Sequence, residues 1–264
     1  MPKTLPAVPT VTRLFTTSIK GFNLSEPSSV TLNANGAVGD RDFFLVDDKQ
    51  ELISITRTGA FASWRAEFDP EEGILTLTSR DDRVLEDKVV EGDAAVFDFW
   101  GSRDVRGQFV GDPWPTWLSE IAGQPVSLIR ATQSGDAFDE TAVTILSEES
   151  VAELARATKT DSIDIRRFRM LINIAGGAAY EEEGWFPKPV RIGSAILQMR
   201  GPVPRCNATT RDPDTGKKDL KTLQLIAESR GKQPNEFGED LNMGAYAEVI
   251  EPGVVSVGDR VELG

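Results

Sequence analysis

Histidine is absent from this chain of 264 residues, and cysteine occurs once, as Cys206. Without histidine there can be no Ser-His-Asp or Cys-His nucleophile pair, no His-ligated zinc or non-haem iron and no His-ligated haem. A single thiol excludes internal disulfides, Cys-rich zinc sites and iron–sulfur clusters. There is no P-loop and no glycine fingerprint for a dinucleotide after a strand. No apolar run reaches the length that spans a bilayer. The opening MPKTLPAVPTVTRLF lacks the apolar core of a signal peptide. With one free thiol, this predicts a cytoplasmic protein with no membrane partner. Basic charge is scarce too: 29 Lys and Arg stand against 42 Asp and Glu, a net charge of −13. That argues against nucleic acid as a partner, and an anionic ligand would have to be held by a local basic cluster. What survives is chemistry that needs at most one protein sulfur, or carboxylate and lysine chemistry.

The rest of the chain is well supplied with strand and turn signals. Thr10 to Thr17, Ser28 to Leu32, Phe43 to Val46, Ile74 to Thr78, Ala95 to Trp100 and Arg106 to Val110 are short segments, several of them β-branched or aromatic. Turn-rich pieces such as Asn33-Ala34-Asn35-Gly36 separate them, and this spacing predicts barrels or sandwiches rather than βα units. Helices are predicted at Pro113 to Ala122, after a cap at Ser147, and at Asp219 to Arg230, which starts on an aspartate and stops at Gly231. Ala245 to Ile250 follows, then a strand-turn-strand tail with Gly258-Asp259 at the turn. The polar stretch from Ala131 to Glu140 is the weakest join, and a soft boundary near residue 125 divides the chain into 1–125 and 126–264.

Cys206 lies in the run GPVPRCNATTRDPDTG, Gly201 to Gly216. Pro202 and Pro204 fix φ and remove two backbone donors, so the approach to the thiol is stiff and non-helical. Arg205 sets a permanent positive charge beside it, favouring the thiolate, the form that acts as nucleophile or metal ligand. Asp212-Pro213-Asp214-Thr215-Gly216 has the composition of a tight turn. A lone cysteine is more commonly a small buried hydrophobe, so this loop carries weight only in company.

That company is a set of runs in order along almost the whole chain: TRLFTTSIKG, GDRDFFLVD, ILSEES, RRFR, EEEGW, VRIGSAIL, PRCNATTRDPDTG and PGVVSVGDRVEL. With them the C-terminal half resembles the MOSC domain, named for the C-terminal part of molybdenum-cofactor sulfurase, and the first half resembles the β-barrel domain that precedes it. The resemblance implies a mainly β (α+β) fold, an N-terminal β-barrel-like domain packed on a MOSC-type β-barrel with a few helices and a ligand cleft between them. In amidoxime-reducing members and their bacterial relatives, a cysteine ligates the metal of a pyranopterin molybdenum cofactor (Mo-molybdopterin), and N-hydroxylated compounds are reduced. The implied metal ligand and catalytic residue here is Cys206. Lys20, Arg41, Ser147, Arg169 and Arg205 are the implied cofactor-binding residues. Thiolate is a suitable soft ligand, arginine grips phosphate bidentately, and a helix N-terminus at Ser147 favours an anion.

The resemblance further implies a small-molecule substrate and a separate electron-donor protein, ferredoxin- or flavoprotein-like, since the chain has no redox motif of its own. The rival reading is a sulfur (persulfide) or molybdenum-cofactor carrier without its own turnover; pyridoxal phosphate (PLP) would enter only with a different carrier chemistry and is not favoured. A third reading is a binding module that has lost its chemistry. Taken singly, Ser147 is explained by helix capping, Glu181-Glu182-Glu183 by an exposed turn and Trp185 by the core. Two positions depart from the family pattern. Leu171 stands where relatives often have an asparagine two residues after the RFR arginine, with Asn173 expected on the same face. Pro204 stands where they often have a serine two residues before the cysteine.

Overall fold

The computed structural model describes residues 8–264; the expectation of no leader peptide, so far as it rests on residues 1–7, lies outside the described residues. The fold is mainly β. Alternation of apolar and polar side chains builds a seven-stranded sheet in the order Thr10–Leu14, Ile172–Ala175, Val143–Ser147, Asn242–Glu251, Ala195–Pro204, Pro189–Ile192 and Val261–Leu263. Its two outer strands come round to each other. The Val11 N–H donates to Asp259 O at 2.9 Å, the Gly258 N–H to Val11 O and the Val261 N–H to Pro9 O, both at 2.8 Å. These bonds nearly close a barrel and leave few strand edges unpaired. Its interior is filled by Leu14, Ile145, Ile172, Leu197, Ala247 and their neighbours, all buried.

A second sheet of five strands has the order Leu52–Ile53, Phe43–Val46, Ser127–Ala131, Arg103–Val110 and Glu91–Phe99. With a three-stranded meander (Trp64–Asp69, Ile74–Ser79, Val84–Lys88) it encloses an aromatic core around Phe22, Phe43, Phe61 and Trp114. The meander strands Trp64–Asp69 and Val84–Lys88 were not among the predicted segments. Trp64–Asp69 alternates buried and charged residues, one face being solvated, and Val84–Lys88 is exposed except at Leu85, so neither stands out as an apolar run.

The sheets interleave across residue 125. Thr10–Leu14 joins the C-terminal barrel, Ser29–Asn33 pairs with Gly253–Ser256, and Ser127–Ala131 lies inside the N-terminal sheet. The line at 125 thus divides the sequence but not the sheets. The C-terminal tail is likewise no hairpin: Gly253–Ser256 pairs with Ser29–Asn33 while Val261–Leu263 pairs with Pro189–Ile192. The Gly258-Asp259 turn hands the chain from one sheet to the other.

Three α-helices pack around this frame among the described residues. Helix α1 (Trp114–Ala122) ends at Gly123, φ 67°, and α2 (Glu148–Thr158) is capped by Ser147. Helix α3 (Thr222–Arg230) begins three residues later than its sequence suggests. Asp219, the expected first residue, is taken by Arg167, which donates to both its carboxylate oxygens at 2.8 Å.

Candidate functional site

Between the two halves opens a cavity of about 560 Å³, lined from the first half by Lys20, Asp40, Arg41 and Trp100 and from the second by Arg169, Arg205 and Cys206, among others. That volume is in the range of small-molecule and cofactor sites. Strand Ala195–Pro204 delivers the thiol. Pro202 and Pro204 are part of this strand rather than of a loop; register shifts at Met199/Gly201 and Pro202/Pro204 absorb their missing donors. The chain leaves the sheet at Arg205, whose N–H is held by Leu241 O at 2.8 Å, and Cys206 then stands exposed at the cavity wall. Its carbonyl caps the following turn, accepting the Thr209 N–H at 3.2 Å and hydroxyl at 3.1 Å.

The RRFR run divides its labour. Arg166 binds Asp214 through two hydrogen bonds of 2.8 and 2.9 Å, and Arg167 binds Asp219, so the first two arginines clamp the segment that follows the cysteine. Within it, the Asp212 carboxylate accepts the Thr215 N–H and hydroxyl, each at 2.8 Å, making the turn its composition suggests. Arg169 is turned the other way. The 3₁₀ turn Ile165–Phe168 ends there at φ 54°, a left-handed conformation that aims its side chain into the cavity wall, where Nη2 donates to Phe22 O at 2.7 Å. Arg41 also sits at positive φ, 57°, pairs with the fully buried Asp40 and donates to Arg169 O at 3.3 Å.

Lys20 is only 5% exposed; its ammonium reaches Asp139 at 2.8 Å and Ala137 O at 2.9 Å. Burial lowers the Lys20 pKa, Asp139 opposing it. Burial likewise raises Asp40, with Arg41 opposing. For Asp139 burial would act upward, but the Lys20 charge and hydrogen bond win and hold it down to about 2. Its side chain is still 65% accessible, open to the cavity while hemmed in by the walls. Burial, then the Arg41 charge, push the Arg169 pKa down, and burial does the same to Arg205.

Lys20, Arg41, Arg169, Arg205 and Cys206 therefore border one cavity. Lys20 and Arg41 each have a carboxylate. Arg169 and Arg205 have none within ion-pair distance among the described residues. Arg205 spends its donors on Phe168 O and Met170 Sδ, and its buried Nε has no partner. Two guanidiniums without counter-charge beside an accessible thiol are suited to an anion with a soft centre next to it.

Ser147 does not join them. Its hydroxyl caps its own helix, accepting the Glu149 and Ser150 N–H groups at 3.1 and 3.4 Å and donating to the Glu149 carboxylate at 2.8 Å, and its N–H goes to Glu182 at 3.2 Å, so no donor is left for a ligand. The Glu181–Glu183 run is not an exposed turn either. Glu182 is fully buried, accepting the Ser150 hydroxyl at 2.8 Å, and Glu183 pairs with Arg230 at 2.7 Å. Burial pushes Glu182 up to about 7. Trp185 is core, as expected. Leu171 borders the cavity and is also built into the barrel core; Asn173 stays inside the protein, donating to Met170 O at 3.3 Å. Thr144 and Tyr246, which sequence reasoning did not single out, also border the cavity. The Thr144 hydroxyl holds the Leu171 N–H at 2.9 Å. Neither carries a local signal, since a threonine and a tyrosine in a strand read as ordinary strand residues.

Comparison with known proteins gives a match to the MOSC domain over residues 123–262. Mitochondrial amidoxime-reducing component 1 of Homo sapiens is 25% identical over 271 residues, covering 93% of this chain and 79% of that protein. The component 2 protein of Bos taurus is 26% identical, covering 92% and 79%. Molybdenum cofactor sulfurase of Oryza sativa subsp. japonica is 28% identical over 89% of this chain, which spans only 32% of the sulfurase.

Proposed function

Because the chain belongs to the MOSC domain family, we propose that it binds a molybdenum cofactor and acts as an oxidoreductase on N-oxygenated small molecules, with electrons from a separate donor protein. The observation that carries this reading is the exposed Cys206 at the wall of a cavity whose nearby guanidiniums, Arg169 and Arg205, lack carboxylate partners. The donor set fits the group: one thiolate suffices as protein ligand to a metal already held by a dithiolene, and a chain without histidine offers no competing ligand. Arg169, Arg205, Arg41 and Lys20 would hold the anionic part of the cofactor, in a chain whose net charge of −13 otherwise repels anions. Leu171 and Pro204 supply apolar walls where relatives often supply polar ones. When bound, the cofactor supplies two-electron redox chemistry that no side chain here provides. The residues of the chain bind, orient and partly dehydrate it.

Sulfur or cofactor carriage is the second reading, favoured by the accessibility of Cys206 and by the sulfurase relative. Metal analysis of protein from a molybdenum-replete host separates the two. Stoichiometric molybdenum with N-hydroxy reductase activity supports the oxidoreductase; a persulfide on Cys206 without metal supports the carrier.

A further inference from the structure

Four exposed residues line the cavity mouth, apart from the guanidiniums. Trp100 and Phe237 are large aromatic side chains left 49% and 57% exposed, yet both border the cavity. Glu140 and Asp240 border it as well, and neither carboxylate has a cationic partner within ion-pair distance among the described residues. They come from three separate elements. Trp100 tops the hairpin between strands Glu91–Phe99 and Arg103–Val110. Glu140 is in the segment before strand Val143–Ser147. Phe237 and Asp240 belong to the small hairpin Gln233–Asn235 and Gly238–Asp240.

Local chemistry does not explain the tryptophan. Trp100 has φ 61° and is followed by Gly101 at φ 71°, a turn that favours Asn-Gly and penalises a bulky side chain. A bulky aromatic held there, half in water, is the kind of local conflict that collects at functional sites. Its orientation is fixed: the indole N–H donates to Asp139 at 3.0 Å, and the same carboxylate is bound to Lys20. The mouth is thus tied to the floor through Trp100, Asp139 and Lys20. Inside the cavity Tyr246 is only 6% exposed, and its hydroxyl makes no hydrogen bond to any described residue. Its hydroxyl is therefore free to meet water or a ligand in the cavity.

The cavity is therefore bipolar, with guanidiniums deep inside and aromatic faces plus free carboxylates at the entrance. Aromatic faces beside carboxylates attract planar cations, by stacking, cation–π attraction and charge. We propose that the mouth formed by Trp100, Phe237, Glu140 and Asp240 is a selectivity site for planar aromatic molecules that carry a positive charge, so that the substrate of this chain is a cationic aromatic N-oxygenated compound. The substrate half of this inference rests on the function proposed above; the binding half does not.

The test uses the full chain, with and without cofactor, and two probes of nearly the same shape: benzamidinium chloride and neutral benzamide. Calorimetric titration should show benzamidinium binding about tenfold more tightly, the scale of one carboxylate contact with one cation–π contact at a half-exposed site, and 0.5 M salt should shrink the gap. Asp240→Asn and Glu140→Gln should each narrow the preference and leave benzamide unchanged. Phe237→Ala, at the tip of a hairpin, and Trp100→Gly, which relieves the positive φ, should weaken both probes alike. Equal affinity for the two probes, or a preference untouched in both carboxylate variants, overturns the proposal. The two readings fail separately. Cation preference in a protein that takes up no molybdenum removes the oxidoreductase and leaves the mouth. A molybdenum-loaded, reducing enzyme indifferent to Asp240→Asn and Glu140→Gln removes the mouth and leaves the oxidoreductase.

Discussion

Gly59 and Gly216 face each other so closely that a Cβ built on either would overlap the carbonyl of the other. One belongs to the N-terminal half and the other closes the turn after Cys206, so the contact presses the thiol-bearing segment onto the opposite wall of the cavity. Arg211 reinforces it, donating to Gly216 O at 2.7 Å and to Thr56 O at 3.3 Å.

Gly59→Ala is the clean probe of that clamp, because Gly59 is not at positive φ and only the overlap opposes the methyl group. Overpacking of this kind costs about 1–3 kcal/mol. The variant should melt several degrees lower and retain less cofactor. A melting temperature and cofactor content equal to wild type would mean that the two segments separate freely.

Cys206→Ser should abolish turnover and molybdenum retention with little change in thermal stability, since the side chain is exposed and the change in volume is small. Metal content per chain beside a melting curve checks it. Full molybdenum content in the folded variant would remove the ligand role.

Arg169 and Arg41 meet at the cavity wall, and under the proposed function each charge-assisted contact to a cofactor phosphate there would contribute roughly 1.5–3 kcal/mol. Arg169→Ala and Arg41→Ala should accordingly bind cofactor about ten- to a hundredfold more weakly. Arg→Lys should recover part of the loss, because the charge returns without the two-pronged geometry. Pterin fluorescence after denaturing equal amounts of purified protein gives the measure; unchanged pterin in both alanine variants would place the anion elsewhere.

Glu182 gives a pH dependence of stability. Its folded pKa of about 7 lies above the 4.5 of a free glutamate. A raised carboxyl contributes stability that is complete below the unfolded value and is lost as pH climbs through the folded one. The window is therefore pH 4.5 to 7, with a loss on the order of 3 kcal/mol across it. Glu182→Gln keeps acceptors for Ser147 and Ser150 and does not ionise. Urea unfolding should find the variant near wild type at pH 5 and more stable than wild type at pH 8. A constant difference across that range would show that the carboxyl is already ionised at pH 5.

Local chemistry was enough for much of this molecule. Strand Phe43–Val46 falls where the run of apolar residues puts it, α2 starts after Ser147 because a serine followed by two glutamates caps a helix, and α1 ends at Gly123 because glycine accepts the left-handed conformation. The absence of histidine and the single cysteine by themselves narrow the chemistry available to the chain. Partnership between distant residues was beyond its reach. Nothing local tells Arg169, which borders the cavity, from Arg167 two positions earlier, which is consumed by Asp219. Nothing local shows that Ser147 spends every donor on its own helix and Glu182, that Glu182 is buried, or that Thr10–Leu14 closes the barrel of the other half. Propensity and capping act over a few residues of chain, whereas burial, ion pairing and cavity walls depend on which segments the barrel closure brings together. Sequence determined the elements and the available chemistry; tertiary packing decided which charges are left over to bind.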